Sequence, residues 1–334
     1  MEKVKIGVLC PSEIAFRRFL PALQQSVGFE YVGVAVADAG EWFGEPTQEQ
    51  VAAEQVKAQK FVDSYCGKIF AGYEALLNNP DVEAVYIPLP PALHFRWAKK
   101  ALLADKHVLL EKPFSTNMQD TEELLKIATE KHLAVHENYM FVYHSQLAWI
   151  REHMAEMGEL RLIRIDFGFP FRGANDFRYN QELGGGALLD CGGYTLKLAG
   201  YFLGGSAQIT TSQLNMKPKF GVDIGGSATL VNDQGLTAQV AFGMDNSYKC
   251  SLELWGSKGT LYTNRILTAP VGYEPQVVIK IGDNEQVYTL LADDSFGKSI
   301  AYFGKCIEDE AQRIEHYAEI RRQAQLVAAI REGE

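Results

Sequence analysis

Val108-Leu109-Leu110-Glu111-Lys112-Pro113-Phe114 reads as a buried strand that stops on a charged pair and a proline. A short, purely apolar run marks a strand covered on both faces, as in a parallel sheet. Glu111 and Lys112 then fall just beyond the strand's carboxyl end, where open parallel sheets keep their ligand crevice. Pro113 disfavours helical φ/ψ at Lys112 and holds it extended. An ammonium placed there can give a hydrogen bond or a proton to a carbonyl or hydroxyl. An isolated Glu-Lys-Pro would be an ordinary strand-to-loop turn, so the surroundings decide.

Towards the N-terminus, apolar strands alternate with helical patterns. Val4–Leu9, Phe29–Ala37, Lys68–Phe70 and Asp81–Ile87 read as strands, and Leu133–Val135 closes the sheet beyond His107–Leu110. Helical spacing covers Ile14–Gln25, Tyr73–Leu77, Pro91–Ala104 and Met118–Glu130, with Pro21 kinking the first or ending its first segment. Residues 40–60 read as a loop feeding a polar helix. Strand–helix alternation predicts parallel βαβ units, a doubly wound Rossmann-type sheet.

The strand–turn–helix at residues 7–15 is where such a sheet cradles a pyrophosphate. Gly7 stands, but Cys10 and Ser12 occupy places where glycines are expected; both are small, and Ser12 can cap the helix or meet a phosphate. Asp38 ends the second strand, where an acid accepts both ribose hydroxyls and repels a 2′-phosphate, which favours NAD over NADP. Asp38 is otherwise a cap on the next segment. Pro88-Leu89-Pro90-Pro91 makes a stiff crevice lip, and His94 in the following turn has a minor cofactor contact or a purely structural place. Candidate cofactor contacts are therefore Gly7, Ser12, Glu13, Ile14, Asp38, Pro88 and Leu89, joined by His94, Glu111, Lys112 and Asn138.

From about Glu159 the chain changes character. Strands dominate (160–169, 208–214, 226–231, 236–242, 248–254, 259–262, 277–281, 286–290), separated by turns such as Asn232-Asp233-Gln234-Gly235. They predict a large, mostly antiparallel sheet in an α+β second half, finished by helices near 295–309 and 315–331. The expected division is 1–136 and 137–334, and 334 residues suit two domains.

Composition narrows the function classes. Hydrophobic residues at 47% and charged residues at 22% are ordinary for a soluble globular chain, and a formal charge of −10 argues against nucleic-acid binding as the main task. No apolar run is long enough for a bilayer, the start reads as no signal peptide, and no Cys-x-x-Cys suggests a zinc or dithiol site. A cytoplasmic protein with reduced thiols and no metal is the expectation.

A second informative stretch is Leu183-Gly184-Gly185-Gly186-Ala187-Leu188-Leu189-Asp190-Cys191-Gly192-Gly193-Tyr194. Three glycines let backbone approach a ligand or another segment closely. Asp190 and Tyr194, four apart, share a face if helical. A carboxylate and a phenol near a lysine make a proton-transfer constellation. Equally, Asp190 can satisfy donors at a helix start while Tyr194 packs in the core.

Glu111-Lys112-Pro113 after a doubly wound half, followed by Gly184-Gly185-Gly186-Ala187-Leu188-Leu189-Asp190 in an α+β half, resembles the glucose–fructose oxidoreductase / inositol dehydrogenase / MocA (Gfo/Idh/MocA) family over nearly the whole chain. That resemblance implies an oxidoreductase using NAD or NADP, with Lys112 binding substrate and cofactor and taking part in proton transfer. Many members place a His where this chain has Tyr194; its Tyr resembles the branch holding dihydrodiol dehydrogenases and nucleotide-sugar 3-ketoreductases, where a Tyr is the acid/base. Ile14–Leu23, Ile87–His94 and Asp176–Asn180 are similar to segments of the sugar 3-ketoreductases, which favour NADP. The implied reaction passes a hydride between nicotinamide and a sugar carbon, with Tyr194 as acid/base, Lys112 polarising the carbonyl, and Asp190 orienting Lys112 or binding a sugar hydroxyl. Arg172 and Arg178 are candidates for a substrate phosphate, or else solvated loop charges. A homodimer or homotetramer through the large sheet is also implied. Rivals are a free-sugar or trans-dihydrodiol dehydrogenase and a non-catalytic ligand sensor, the last favoured by the altered glycine turn.

Overall fold

A computed structural model describes residues 2–332 and resolves them into two compact units. The first comprises residues up to Ser115, Gln119–Asn138 and Phe296–Ile320; the second comprises Thr116–Met118, Tyr139–Ser295 and the chain from Arg321.

The first unit carries strands β1 (Val4–Leu9), β2 (Phe29–Val36), β3 (Lys68–Ala71), β4 (Ala84–Ile87), β5 (His107–Leu110) and β6 (Val135–Glu137). Their order is β3-β2-β1-β4-β5-β6 and every pairing is parallel, the expected doubly wound sheet. β4 and the last three residues of β5 are wholly buried, which explains their unbroken apolar runs. Five helices follow strands in turn: α1 (Leu20–Gln24), α2 (Gln48–Tyr65), α3 (Tyr73–Leu77), α4 (Pro91–Leu103) and α5 (Met118–Glu130). A π-helical turn over Ala15–Phe19 runs directly into α1, so Pro21, which has no N–H to donate, lies inside a continuous helical run just past that turn. A capping box between Thr47 and Gln50 starts α2, which extends five residues past the expected Lys60.

Two strand ends differ from expectation for local reasons. Asp81 is spent on a turn in which its N–H donates to Asn79 Oδ1 (2.9 Å), and the regular strand β4 starts only at Ala84. After α5, His132 takes a left-handed φ of 55° and the Leu133 N–H still donates to Ala128 O (2.9 Å). Residues 133–134 are therefore helix exit, and the closing strand is Val135–Glu137.

The second unit opens with α6 (Ser145–His153) and then holds β7 (Leu160–Gly168), α7 (Gly193–Leu203), β8 (Gln208–Lys217), β9 (Val222–Val231), β10 (Thr237–Gly243), β11 (Lys249–Gly256), β12 (Gly259–Asn264), β13 (Gln276–Ile281) and β14 (Asn284–Thr289). The eight strands run β14-β13-β12-β11-β7-β10-β9-β8; all pairs are antiparallel except β7 with β10. One face, through Ile163, Ile165, Leu252 and Leu254, joins the core with Leu188, Leu196 and Ala199.

The division departs from a single cut near residue 136. α8 (Ser295–Glu308) and the first half of α9 (Glu310–Glu332) belong to the first unit from Phe296 to Ile320. Phe303 stacks on Phe29 (5.8 Å between ring centres), Tyr317 donates its hydroxyl to Leu133 O, and Ile320 lies in the core with Trp97 and Leu124. Among the described residues no helix is long and apolar enough to cross a membrane.

Candidate active site

In the first unit the turn after β1 keeps the backbone of a glycine turn with other residues. Cys10 holds a left-handed φ of 83°, a conformation that ordinarily favours glycine. Its N–H donates to Ala35 O (3.2 Å) and its carbonyl accepts from the Ser12 N–H (2.9 Å). Ser12 Oγ accepts from the Ala15 N–H (3.2 Å), so the serine caps the helix as its chemistry allows. Burial, then the Glu54 carboxylate, push the Cys10 thiol up to about 12, so it stays protonated and adds no charge beside the turn. Glu13 and Ile14 are exposed at the helix start. Gly7 lies within β1, where a Cβ would press on Leu76; its role is packing.

Asp38 is exposed just past β2, and its Oδ1 accepts from the Ala39 N–H (2.8 Å). Glu41, which sequence reasoning passed over, fixes this loop. Its buried carboxylate accepts from the N–H groups of Asp38 (2.8 Å), Tyr73 (2.7 Å) and Glu74 (2.9 Å), and so caps α3 from 32 residues away. Bonds to a charged acceptor contribute about 1.5–3 kcal/mol each, so one side chain sets both the loop and the helix. Arg96 donates from a terminal nitrogen to Gly40 O (3.3 Å), bringing a cation to the loop after Asp38.

At the ends of β4 and β5, Pro88 and Leu89 are buried lip residues. His94 is fully buried, with Nδ1 2.7 Å from Pro113 O and Nε2 2.7 Å from Leu89 O. Burial lowers its pKa to about 4, although the two carbonyls favour the charged ring. The neutral ring has one N–H and donates to only one of these carbonyls; with no surface left, His94 links two strand-end loops rather than making the expected cofactor contact. Glu111 Oε1 accepts from the Tyr86 hydroxyl (2.7 Å) and from Asn138 Nδ2 (2.8 Å). Asn138, also expected at the cofactor, is buried with its amide aimed at Glu111. The Phe114 N–H donates to Glu137 Oε1 (2.9 Å). Lys112, half-buried, thus stands on a turn fastened on both sides; its peptide bond to Pro113 is cis.

In the second unit the glycine triplet serves a close approach of chain to chain. A Cβ on Gly185 would overlap the Arg178 carbonyl, and one on Gly186, whose φ is 120°, would overlap the Asp223 carboxylate. Asp223 Oδ2 accepts from the Leu188 N–H (2.6 Å) and caps the helical run. That leaves the Asp190 carboxylate for another partner: Arg178 donates from Nε to Asp190 Oδ2 (2.7 Å) and from a terminal nitrogen to Asp176 Oδ1 (3.1 Å). Burial works against the Arg178 charge, but Asp190 and Asp176 more than offset it, so its pKa is raised. Arg178 is committed to two carboxylates, whereas Arg172 is exposed with its guanidinium over the Phe169 ring (4.6 Å). Asp190 lies in a π-helical turn over Leu188–Gly192, and Tyr194 follows in the first turn of α7. The half-buried Tyr194 ring packs against Tyr139 (5.1 Å), Phe141 (5.6 Å) and Phe167 (5.4 Å). Among the described residues no cluster of His, Cys, Asp and Glu is arranged to hold a metal ion.

The expected residues therefore fall into two groups: Glu111, Lys112 and Asn138 with the Ser12 turn in the first unit, and Asp190, Tyr194, Arg178 and Arg172 in the second.

Comparison with known proteins adds three findings. A model of an oxidoreductase family with an NAD-binding Rossmann fold, GFO_IDH_MocA, matches residues 15–139, and a GFO/IDH/MocA C-terminal domain model matches residues 150–262. The chain is 37% identical over 332 residues to a dTDP-3,4-didehydro-2,6-dideoxy-α-D-glucose 3-reductase of Actinomadura kijaniata (99% of this chain, 95% of that enzyme), and 36% identical over 335 residues to one of Saccharopolyspora spinosa (98% and 96%). Among solved structures, KijD10, a 3-ketoreductase from Actinomadura kijaniata in complex with NADP and TDP-benzene, matches with a TM-score of 0.91 at 36% identity, covering 99% of this chain and 98% of that one. Variants of that ketoreductase at one tyrosine and at one lysine were also solved with TDP-benzene and NADP (TM-scores 0.91 and 0.87).

Proposed function

The chain belongs to the Gfo/Idh/MocA oxidoreductase family, and from that premise we propose that it reduces the keto group of a nucleotide-linked deoxyhexose with NADH or NADPH. The observation that carries the proposal is full-length likeness to sugar 3-ketoreductases in a chain that has a lysine on a fastened strand-end turn and a tyrosine in an aromatic cage. The turn at residues 10–15 fits a dinucleotide: Cys10 keeps the left-handed backbone, and Ser12 and the helix start bring a hydroxyl and N–H groups to a pyrophosphate. That fit removes the main argument for a ligand sensor. When bound, the nicotinamide supplies the hydride.

The chain's residues supply the rest. In reduction the Tyr194 hydroxyl gives its proton to the developing alkoxide oxygen. An ordinary phenol has a pKa of about 10, so the reverse direction needs positive charge nearby. Lys112 supplies that charge and donates to the same oxygen as it becomes anionic. Arg178 holds Asp190 in place to take a sugar hydroxyl. Arg172, with its exposed fork, is assigned to a substrate phosphate.

The test is a fluorescence titration with NADH and NADPH, followed by turnover of a nucleotide-linked 3-keto sugar. Binding of neither cofactor, or binding without turnover, sinks the proposal. Asp38→Ala removes a carboxylate from the ribose end of the proposed cofactor site. It raises the affinity for NADPH relative to NADH by about tenfold, or ~1.4 kcal/mol; an unchanged ratio takes Asp38 away from the ribose.

A homodimer or homotetramer, in the cytoplasm, belongs to the same proposal. The outward face of the large sheet carries Trp255 (48% exposed) and Tyr262 (38% exposed) beside the Arg164–Glu253 pair (3.5 Å). None of the five cysteines is in a disulfide. Light scattering that gives the monomer mass rules the oligomer out.

A further inference from the structure

Glu111, half-buried, ends a longer chain of hydrogen bonds whose other members are buried. Its carboxylate can only accept, so Asn138 presents an amide hydrogen to it (2.8 Å) and turns Oδ1 away. Ser299, on α8, donates its hydroxyl hydrogen to that Oδ1 (2.8 Å). Having one hydrogen only, the Ser299 hydroxyl must accept at its other contact, His136 Nε2 (2.8 Å), which assigns the ring hydrogen to Nε2. Ser299 and His136 are fully buried, and the His136 ring lies nearly parallel to that of His316 on α9 (4.7 Å, 20°). Every donor from the His136 ring to the Glu111 carboxylate thus points the same way. Such a run fixes one rotamer at each step, because reversing any one link leaves a buried donor facing a donor.

We propose that Ser299, backed by His136, is a positioning residue for Lys112. It locks the Asn138 amide, the amide locks the Glu111 carboxylate, and Glu111 is the residue before Lys112 on the turn. The proposal rests on the ketoreductase reading and assigns a catalytic purpose to the return of α8 to the first unit. Ser299 touches neither sugar nor cofactor; what it sets is the aim of the ammonium, and small displacements of a positioned group are costly in rate.

The experiment uses the full-length enzyme and three measurements: steady-state kinetics, cofactor titration and thermal melting. Wild type comes first, since a wild type without ketoreductase turnover fails the underlying reading and not this one. With an active wild type, Ser299→Ala lowers kcat roughly 10–10²-fold. The KM for the sugar and the affinity for reduced cofactor stay at wild-type values, while the Tm falls because Asn138 Oδ1 and the His136 N–H lose a buried partner. Ser299→Thr keeps a hydroxyl with the same donor and acceptor capacity and returns kcat towards wild type. His136→Gln, which retains an N–H donor towards Ser299, serves the same purpose if the extra methyl prevents Ser299→Thr from folding. An unchanged kcat in Ser299→Ala overturns the proposal. So does a loss shared by kcat, KM, cofactor affinity and Tm, which is the signature of general loosening. A kcat loss that the folded donor-retaining variant fails to reverse overturns it as well.

Discussion

Tyr194→Phe lowers turnover of a nucleotide-linked keto sugar by roughly 10²–10⁴, the usual worth of general acid–base help. The substitution is a clean one because the ring is held by its neighbours. Tyr139 and Phe167 meet it edge-on and Phe141 meets it at a tilt, contacts that a phenylalanine ring keeps. Only the hydroxyl is lost, so the ring packing and cofactor affinity hold while kcat falls. Steady-state kinetics beside a melt and a cofactor titration separate the two. Turnover at the wild-type level would take Tyr194 out of the chemistry and leave its hydroxyl a structural role.

The second large effect is at Lys112. Lys112→Met keeps an unbranched chain of similar length and removes the charge. Loss of a donor aimed at a developing oxyanion costs roughly 10²–10³ in kcat. The turn has fastenings besides the ammonium: Glu111 is held by Tyr86 and Asn138, and Phe114 by Glu137. The fold therefore survives, and the kinetic pattern is informative. A fall in kcat and kcat/KM together places the lysine in the transition state; a rise in KM with kcat intact reduces it to a binding residue.

The architecture was legible wherever burial imposes a pattern. Val85, Ile87, Val108 and Leu110 lie between two helical layers, so their runs are apolar and the parallel sheet follows. The alternation of Ile163 and Ile165 with Arg164 and Asp166 announces a half-exposed sheet just as directly. What stayed hidden depends on partners distant in sequence. An amphipathic helix at Ser295–Glu308 reveals that it buries a face but not which unit it covers. The Arg178–Asp190 pair spans twelve residues and the Glu41 clamp 32, separations that no local period encodes. At Cys10 the glycine pattern misled because it records residue identity, while the turn depends on a backbone angle that Cys10 also adopts. His94, expected in the first turn of α4, and Asn138, expected at the cofactor, spend polar atoms on the crevice's inner wall, which must be hydrogen-bonded as well as the surface that meets ligand.

The division of the chain also orders its birth. Residues 296–320 are built into the first unit, yet the ribosome makes them after all of Tyr139–Ser295. At 5–20 residues per second, β6 waits about 10–30 s for the helix that supplies Ser299 and Phe303. Until then Phe29 and Leu133 lack their covers and the nascent sheet stays open along one side. The later-made Tyr139–Ser295 segment has all but its last helical packing in hand before the earlier-made half can close. A cell making this enzyme therefore carries an unfinished nucleotide-binding sheet through most of translation, and chaperones that bind apolar surface have their longest opportunity at its N-terminal half.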